Sequence, residues 1–307
     1  MRNTFTKILV EESEKNKEIF LLYGDLGYGA IEPFLNTFPG RSLNLGVAEQ
    51  NLVGFSAGMA LSGKVPIVYS IATFLTLRCY EQIRNDVCYQ NLNVKFVGVG
   101  EGLTYSQYGA THQSMEDIGL MRLLPNMVVL CPGDPLEVEG AVRAMLAHNG
   151  PCYLRIGSRG EPMLHKNLEF KIGKGIMVQD GEEAALVVTG NMLENALKAA
   201  NLLKEQGITP RVISMPTVKP LDEQLLLKTA NTFKHIFTIE EHSKIGGLGS
   251  AVAELLSENN IKNPVQLHII AGPDAFQKVG GWLSYLRDLN GLSPEKIAAN
   301  VLKNLSR

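Results

Sequence analysis

Glu49 is the residue of this chain whose surroundings most invite chemistry. It lies in the run Asn44-Leu45-Gly46-Val47-Ala48-Glu49-Gln50-Asn51, ahead of small residues from Gly54 to Ala60 that suit a tightly packing helix. A carboxylate at a helix start is favoured by the helix dipole, but burial among Val47, Leu52, Val53 and Phe55 would penalise its charged form. The expected result is a carboxylic acid with a raised pKa, able to share a proton with a ring nitrogen. An acid that only caps its own helix fits the same octapeptide. Two further groups are candidates. Phe74 sits at a strand-to-helix turn in Ala72-Thr73-Phe74-Leu75, where an ordinary core aromatic would also fit. His112, in Gly109-Ala110-Thr111-His112-Gln113, offers an imidazole that gives or takes a proton near neutral pH, although a lone loop histidine can be structural.

The elements that must position these groups alternate between strand and helix. Helical patterns cover residues 5–16, 50–60, 74–89 and 135–148, and apolar runs at 19–23, 66–70, 94–99, 127–132 and 151–156 read as buried strands. Continuous apolar strands separated by helices imply a parallel sheet covered on both faces. Residues 157–181 turn polar and glycine-rich, with Pro162 and the turn signal Asp180-Gly181, and mark a boundary. A second unit follows, with strands at 184–190, 211–215, 235–240 and 265–270. Its helices fall at 192–206, from about 222, at 248–257 and from 294. The fold class is α/β: two domains, each a mostly parallel sheet covered by helices, spanning 1–163 and 183–307 with a linker at 164–182. Gly246-Gly247-Leu248-Gly249 lacks the spacing and downstream acid of a nucleotide-binding loop. It reads as a turn that lets the next helix pack on its strand.

With 307 residues and 45% apolar content, the chain can bury large cores. A net charge of −2 gives no pull toward nucleic acid or an anionic membrane surface. No apolar run reaches transmembrane length, and the first residues carry no signal-peptide core. Cys79, Cys88, Cys131 and Cys152 show no metal-ligand spacing and read as reduced core thiols. The expectation is a cytoplasmic protein with no metal site of its own.

The segment around Glu49 resembles the Gly-Ile-Ala-Glu-Gln and Gly-Ile-Arg-Glu-His elements of transketolases, 1-deoxyxylulose-5-phosphate synthases and 2-oxo acid dehydrogenase β subunits. Thr73-Phe74-Leu75 is similar to the Thr-Phe-Leu turn of the first two, and Gly109–Gln113 resembles their Gly-Pro-Thr-His-Gln and Gly-Gln-Thr-His-Gln elements. Ile213-Ser214-Met215-Pro216 and Val218-Lys219-Pro220-Leu221-Asp222 are similar to segments of the family's C-terminal domain, so the resemblance to the transketolase superfamily runs over almost the whole chain. It implies thiamine diphosphate as cofactor, with Glu49 binding N1′ of the aminopyrimidine and controlling its tautomer. It also implies that Phe74 stacks on that ring, a contact worth about 0.5–1.5 kcal/mol beyond area burial. Asp25, in the strand-end turn Gly24-Asp25-Leu26-Gly27, would sit near the cofactor or a subunit interface, where a simple loop aspartate fits as well. His112 would reach the sugar oxygen next to the reacting carbon.

The chain also departs from the family. Nothing reads Gly-Asp-Gly followed by an Asn at the family's spacing, the motif that holds the diphosphate through Mg²⁺. The expectation is half of an enzyme, completed by a separate N-terminal transketolase subunit in an α2β2 heterotetramer. Tyr108 stands where ketose-using members have an acid that hydrogen-bonds donor hydroxyls. The family's basic residue for a substrate phosphate, upstream of this loop, has no clear counterpart. Arg155 and Arg159 match its Arg-rich strand end, where arginine pairs with phosphate bidentately, and Arg159 is preferred as the ligand.

The resulting reading is the C-terminal subunit of a two-component transketolase, passing a two-carbon ketol unit from a ketose, phosphorylated or not, to an aldose. One rival is a pyruvate-decarboxylating relative, either a deoxyxylulose-phosphate-synthase-like enzyme or a dehydrogenase β subunit. Thr73-Phe74-Leu75 and Thr111-His112-Gln113 are ketose-type elements and speak against the dehydrogenase β subunit. The other rival is a non-enzymatic scaffold, disfavoured because Glu49, Phe74 and His112 occur together.

Overall fold

The apolar runs form strands whose two faces are both covered. The computed structural model describes residues 1–158 and 160–306. Six strands come from the first half: β1 (Ile19–Tyr23), β2 (Ser42–Asn44), β3 (Val65–Ile71), β4 (Lys95–Val99), β5 (Val128–Leu130) and β6 (Cys152–Ile156). Six follow: β7 (Ile176–Gln179), β8 (Ala185–Val188), β9 (Arg211–Ser214), β10 (Thr217–Lys219), β11 (His235–Ser243) and β12 (Gln266–Gly272). The first sheet has the order β10-β5-β6-β4-β3-β1-β2, in which β10 is antiparallel and the other pairs are parallel. The second runs β12-β11-β8-β9-β7, with β7 antiparallel. Strands β4 and β6 are buried throughout, as parallel strands between two helical layers must be.

On one face of the first sheet, Phe5, Ile8 and Leu9 of the helix Arg2–Lys15 pack with Val138, Val142 and Met145 of the helix Pro135–Ala147. On the other, Leu52 and Val53 of the helix Glu49–Leu61 meet Leu75, Ile83 and Met121. The second sheet has matching cores, Leu193, Ala196 and Ile297 on one face and Ile213, Leu226 and Val252 on the other. All four cysteines are buried and unpaired. The glycine run at 246–249 is a packing turn. A Cβ on Gly249 would stand 2.6 Å from Ile269 Cγ2, and the Glu240 carboxylate accepts from the N–H groups of Leu248 and Gly249. Among the described residues, no helix is long and apolar enough to cross a membrane.

Three features differ from the expectation. The expected linker contains β7, which pairs with β9. Strand β10 lies beyond that linker yet closes the first sheet against β5, so the two sheets share a chain crossing. The helix expected over 74–89 is broken at Cys79 (φ −124°, ψ 28°) into Ala72–Arg78, Tyr80–Gln82 and a π-helical turn, Ile83–Cys88.

The order of the first sheet creates a switch point. Strand β2 lies on one side of β1, while β3 and β4 lie on the other. In open parallel sheets the crevice outside the carboxyl ends at such a point is where ligands bind. The segments that follow β1, β2, β3 and β4 carry Asp25, Glu49, Phe74 and His112 respectively, and all leave the sheet at this edge.

Candidate functional site

Glu49 opens the helix Glu49–Leu61 and is 4% exposed. The apolar shell expected around it is incomplete, because Val47 is 70% exposed and Phe55 42%. Its carboxylate does not turn back to cap the helix. Arg78 Nη1 donates instead, at 3.1 and 3.0 Å from the two carboxylate oxygens. Arg78 comes from the short helix Ala72–Arg78 that follows β3, one turn after Phe74 on the same face. Its guanidinium carbon lies 3.8 Å from the centroid of the Phe74 ring, a cation–π contact. A flat, delocalised cation thus rests on Phe74 and donates to Glu49.

His112 reaches this group from the loop after β4. That loop is shaped by Gly100, whose φ is +86° and whose missing side chain leaves room for the Tyr105 ring, and by Gly109 at φ +72°. The His112 backbone N–H donates to Gly109 O at 3.0 Å, and Thr111 Oγ1 lies 2.9 Å from Nδ1. The imidazole meets the Phe74 ring edge-on with centroids 5.0 Å apart. Burial, and then the positive charge of Arg78, hold its pKa below the ordinary histidine value, so the ring is neutral at pH 7. Tyr108 stands at the mouth, 67% exposed, with its ring 5.1 Å from His112. The structure therefore brings Glu49, Phe74, His112 and Tyr108 into one cluster. It adds Arg78, which the sequence reading missed, although its four-residue spacing from Phe74 on a helix was visible.

Asp25 is exposed at the neighbouring edge of the crevice, in a left-handed conformation (φ +53°). Its N–H donates to Asn44 Oδ1 and its carboxylate accepts from the Tyr28 hydroxyl, both at 2.9 Å. These contacts tie together the ends of β1 and β2.

Arg155 has a different place from the one expected. It is fully buried, with Nε donating to Asp117 at 2.7 Å and Nη1 to Glu101 at 3.1 Å. Nη2 donates to the carbonyls of Ser114 and Glu241. A guanidinium sealed among these acceptors cannot meet a substrate phosphate, so that expectation is corrected. Arg155 instead pins the His112-bearing loop to the second domain through Glu241, which also takes Nε of Arg287 at 2.5 Å. Burial pushes the Glu101 carboxyl up to about 8, against the pull of the Arg155 guanidinium, which bridges Glu101 and Asp117. Arg159, the other candidate, lies outside the described residues. Among the described residues, no cluster of three or more His, Cys, Asp or Glu could hold a metal ion.

Comparison with known proteins identifies both domains of the chain. The family model for the transketolase pyrimidine-binding domain matches residues 1–160, and that for the transketolase C-terminal domain matches 173–297. A putative transketolase C-terminal section from Methanocaldococcus jannaschii is 37% identical, over 100% of this chain and 96% of its own length. The 6-deoxy-6-sulfo-D-fructose transketolase subunit SqwH from a Clostridium species is 38% identical, over 97% of this chain and 92% of its own. A solved split-gene transketolase, an inactive β4 tetramer, superposes with a TM-score of 0.89 at 37% identity, over 99% of this chain and 97% of that one. With both of its domains accounted for, this chain belongs to the transketolase family.

Proposed function

We propose that the chain is the catalytic C-terminal subunit of a two-component, thiamine-diphosphate-dependent transketolase. The observation that carries this reading is the pairing of Glu49 and Phe74 around one planar cation. A carboxylate and an aromatic face that hold a guanidinium in this way also fit a protonatable aminopyrimidine. Thiamine diphosphate, when bound, supplies the electron sink for the two-carbon unit passed from ketose to aldose.

The chain's own residues supply the rest. Glu49 holds the proton at N1′ and so sets the ring's tautomer. Phe74 orients the ring by stacking. His112, neutral at pH 7, gives or takes a proton at the substrate oxygen beside the reacting carbon. Tyr108 hydrogen-bonds a donor hydroxyl at the mouth, Asp25 borders the crevice, and Arg159 meets a substrate phosphate. The diphosphate and Mg²⁺ fall to an N-terminal partner subunit in an α2β2 assembly. This assignment is supported by relatives that are themselves subunits or C-terminal sections. Buried, unpaired thiols accord with a cytoplasmic location.

The test is co-expression with a diphosphate-domain subunit, followed by assay of several ketose donors and of pyruvate. Turnover of a ketose by the complex and not by the isolated chain is expected. Pyruvate decarboxylation without ketose use would overturn the transketolase reading, and tight Mg²⁺-dependent cofactor binding by the chain alone would overturn the split assembly.

A further inference from the structure

We infer that Arg78 is an internal stand-in for the cofactor's aminopyrimidine, closing the site until the ring displaces it. The inference rests on the reading of Glu49 and Phe74 given above and adds a competitor for both. The guanidinium takes two contacts at once, the Glu49 carboxylate at 3.0 Å and the face of Phe74 at 3.8 Å. These are the two contacts the aminopyrimidine requires. A guanidinium shares with a protonated aminopyrimidine a flat, delocalised positive charge and in-plane N–H donors. One carboxylate and one ring face cannot serve both, so Arg78 and the cofactor exclude each other.

The arrangement suits a gate. Glu49 is buried, and a buried carboxylate left without a partner is costly. Arg78 meets that need while the crevice is open to solvent. Its own side chain is 45% exposed, so it can swing outward into water without disturbing a core. The adjacent Leu77 is exposed as well. The residues on either side of the ring pair are fixed by backbone elements, Phe74 by the helix after β3 and Glu49 by the helix after β2. Only the arginine has to move. The fraction of time it spends in place lowers the apparent affinity for the cofactor by the same fraction.

Calorimetric titration of thiamine diphosphate with Mg²⁺ into the reconstituted two-subunit complex tests this. The variants are Arg78→Met, which removes charge and plane, and Arg78→Lys, which keeps charge and loses the plane. Both should bind the cofactor about three- to tenfold more tightly than the wild type, the scale of a half-exposed ion pair with a cation–π contact. In the isolated chain, Arg78→Met should lower the melting temperature, since Glu49 loses its partner, while the cofactor-loaded complex should melt no lower than wild type. Unchanged or weaker binding in both variants would overturn the inference and make Arg78 a bystander or a ligand. Glu49→Gln in the same titration separates the two layers. If Glu49→Gln weakens binding while the Arg78 variants do not strengthen it, the gate alone fails. If Glu49→Gln leaves binding unchanged, the cofactor site itself is misassigned and the gate falls with it.

Discussion

The imidazole of His112 meets the ring of Phe74 edge-on at 5.0 Å, and the Arg78 guanidinium covers the face of the same ring at 3.8 Å. The histidine and the arginine are therefore neighbours through one aromatic ring, and the arginine's charge adds to burial in depressing the histidine's pKa. Arg78→Met should raise the His112 pKa toward the ordinary histidine value, read by NMR titration of the ring proton in the isolated chain. The linkage has a definite sign. With a depressed pKa, native His112 gives up its proton where the unfolded chain still holds one, so stability at this site falls as pH drops through that window. Arg78→Met should soften the fall. A His112 resonance that titrates identically in both proteins would separate the two side chains.

Glu49→Gln should reduce ketose turnover by the reconstituted complex about 10²-fold or more, the scale of a lost acid–base group. Glutamine keeps the shape and one acceptor oxygen, so circular dichroism and subunit assembly should match wild type. Near-normal turnover would show that another group controls the cofactor's tautomer.

Glu49, Phe74 and His112 were legible because each lies in a short motif that resembles one of the family's. Arg78 was missed because its role depends on a carboxylate brought from another helix. The same limit explains Arg155. Its partners Glu101, Asp117, Ser114 and Glu241 come from separate stretches, and nothing near residue 155 announces that they converge. Long buried strands such as β4 and β6 read clearly from continuous apolar runs. Strands β2 and β10, with three residues each, and β7, with four, escaped because edge strands this short carry little periodic signal.

Arg155→Met should destabilise the chain by about 3–5 kcal/mol in urea unfolding, because it strands Asp117 as a buried charge. A phosphate ligand would behave differently, raising KM with little change in stability. Wild-type stability with a higher KM would restore Arg155 to the substrate site.

Glu101→Gln should change how stability depends on pH. Native Glu101 keeps its proton up to about 8, whereas the unfolded chain loses it near 4.5. Its contribution to stability is therefore greatest below 4.5 and is lost as pH climbs toward 8. The glutamine variant has no proton to lose. Urea unfolding at several pH values across that range should show a shallower decline in the variant than in wild type. Parallel declines would mean that Glu101 is ionised throughout and truly paired with Arg155.

The sequence resemblance puts Tyr108 where ketose-using relatives have an acid. The Tyr108 ring lies 5.1 Å from His112, and the residue is 67% exposed. A phenol accepts or donates one hydrogen bond but lacks the charge of the acid it replaces. Tyr108→Phe deletes only that bond and keeps the ring packed against His112. In a site closed to water, an unpaired hydroxyl costs about 1–3 kcal/mol, enough to reorder close competitors. The variant should therefore change the ranking of donor sugars more than the rate with any single donor. The measurement is kcat/KM for several ketoses differing at the third and fourth carbons, with His112→Ala as a reference that depresses the chemical step for all of them. If the ranking is the same in Tyr108→Phe, the phenol faces away from the donor, and donor choice then lies with Arg159 or with the partner subunit.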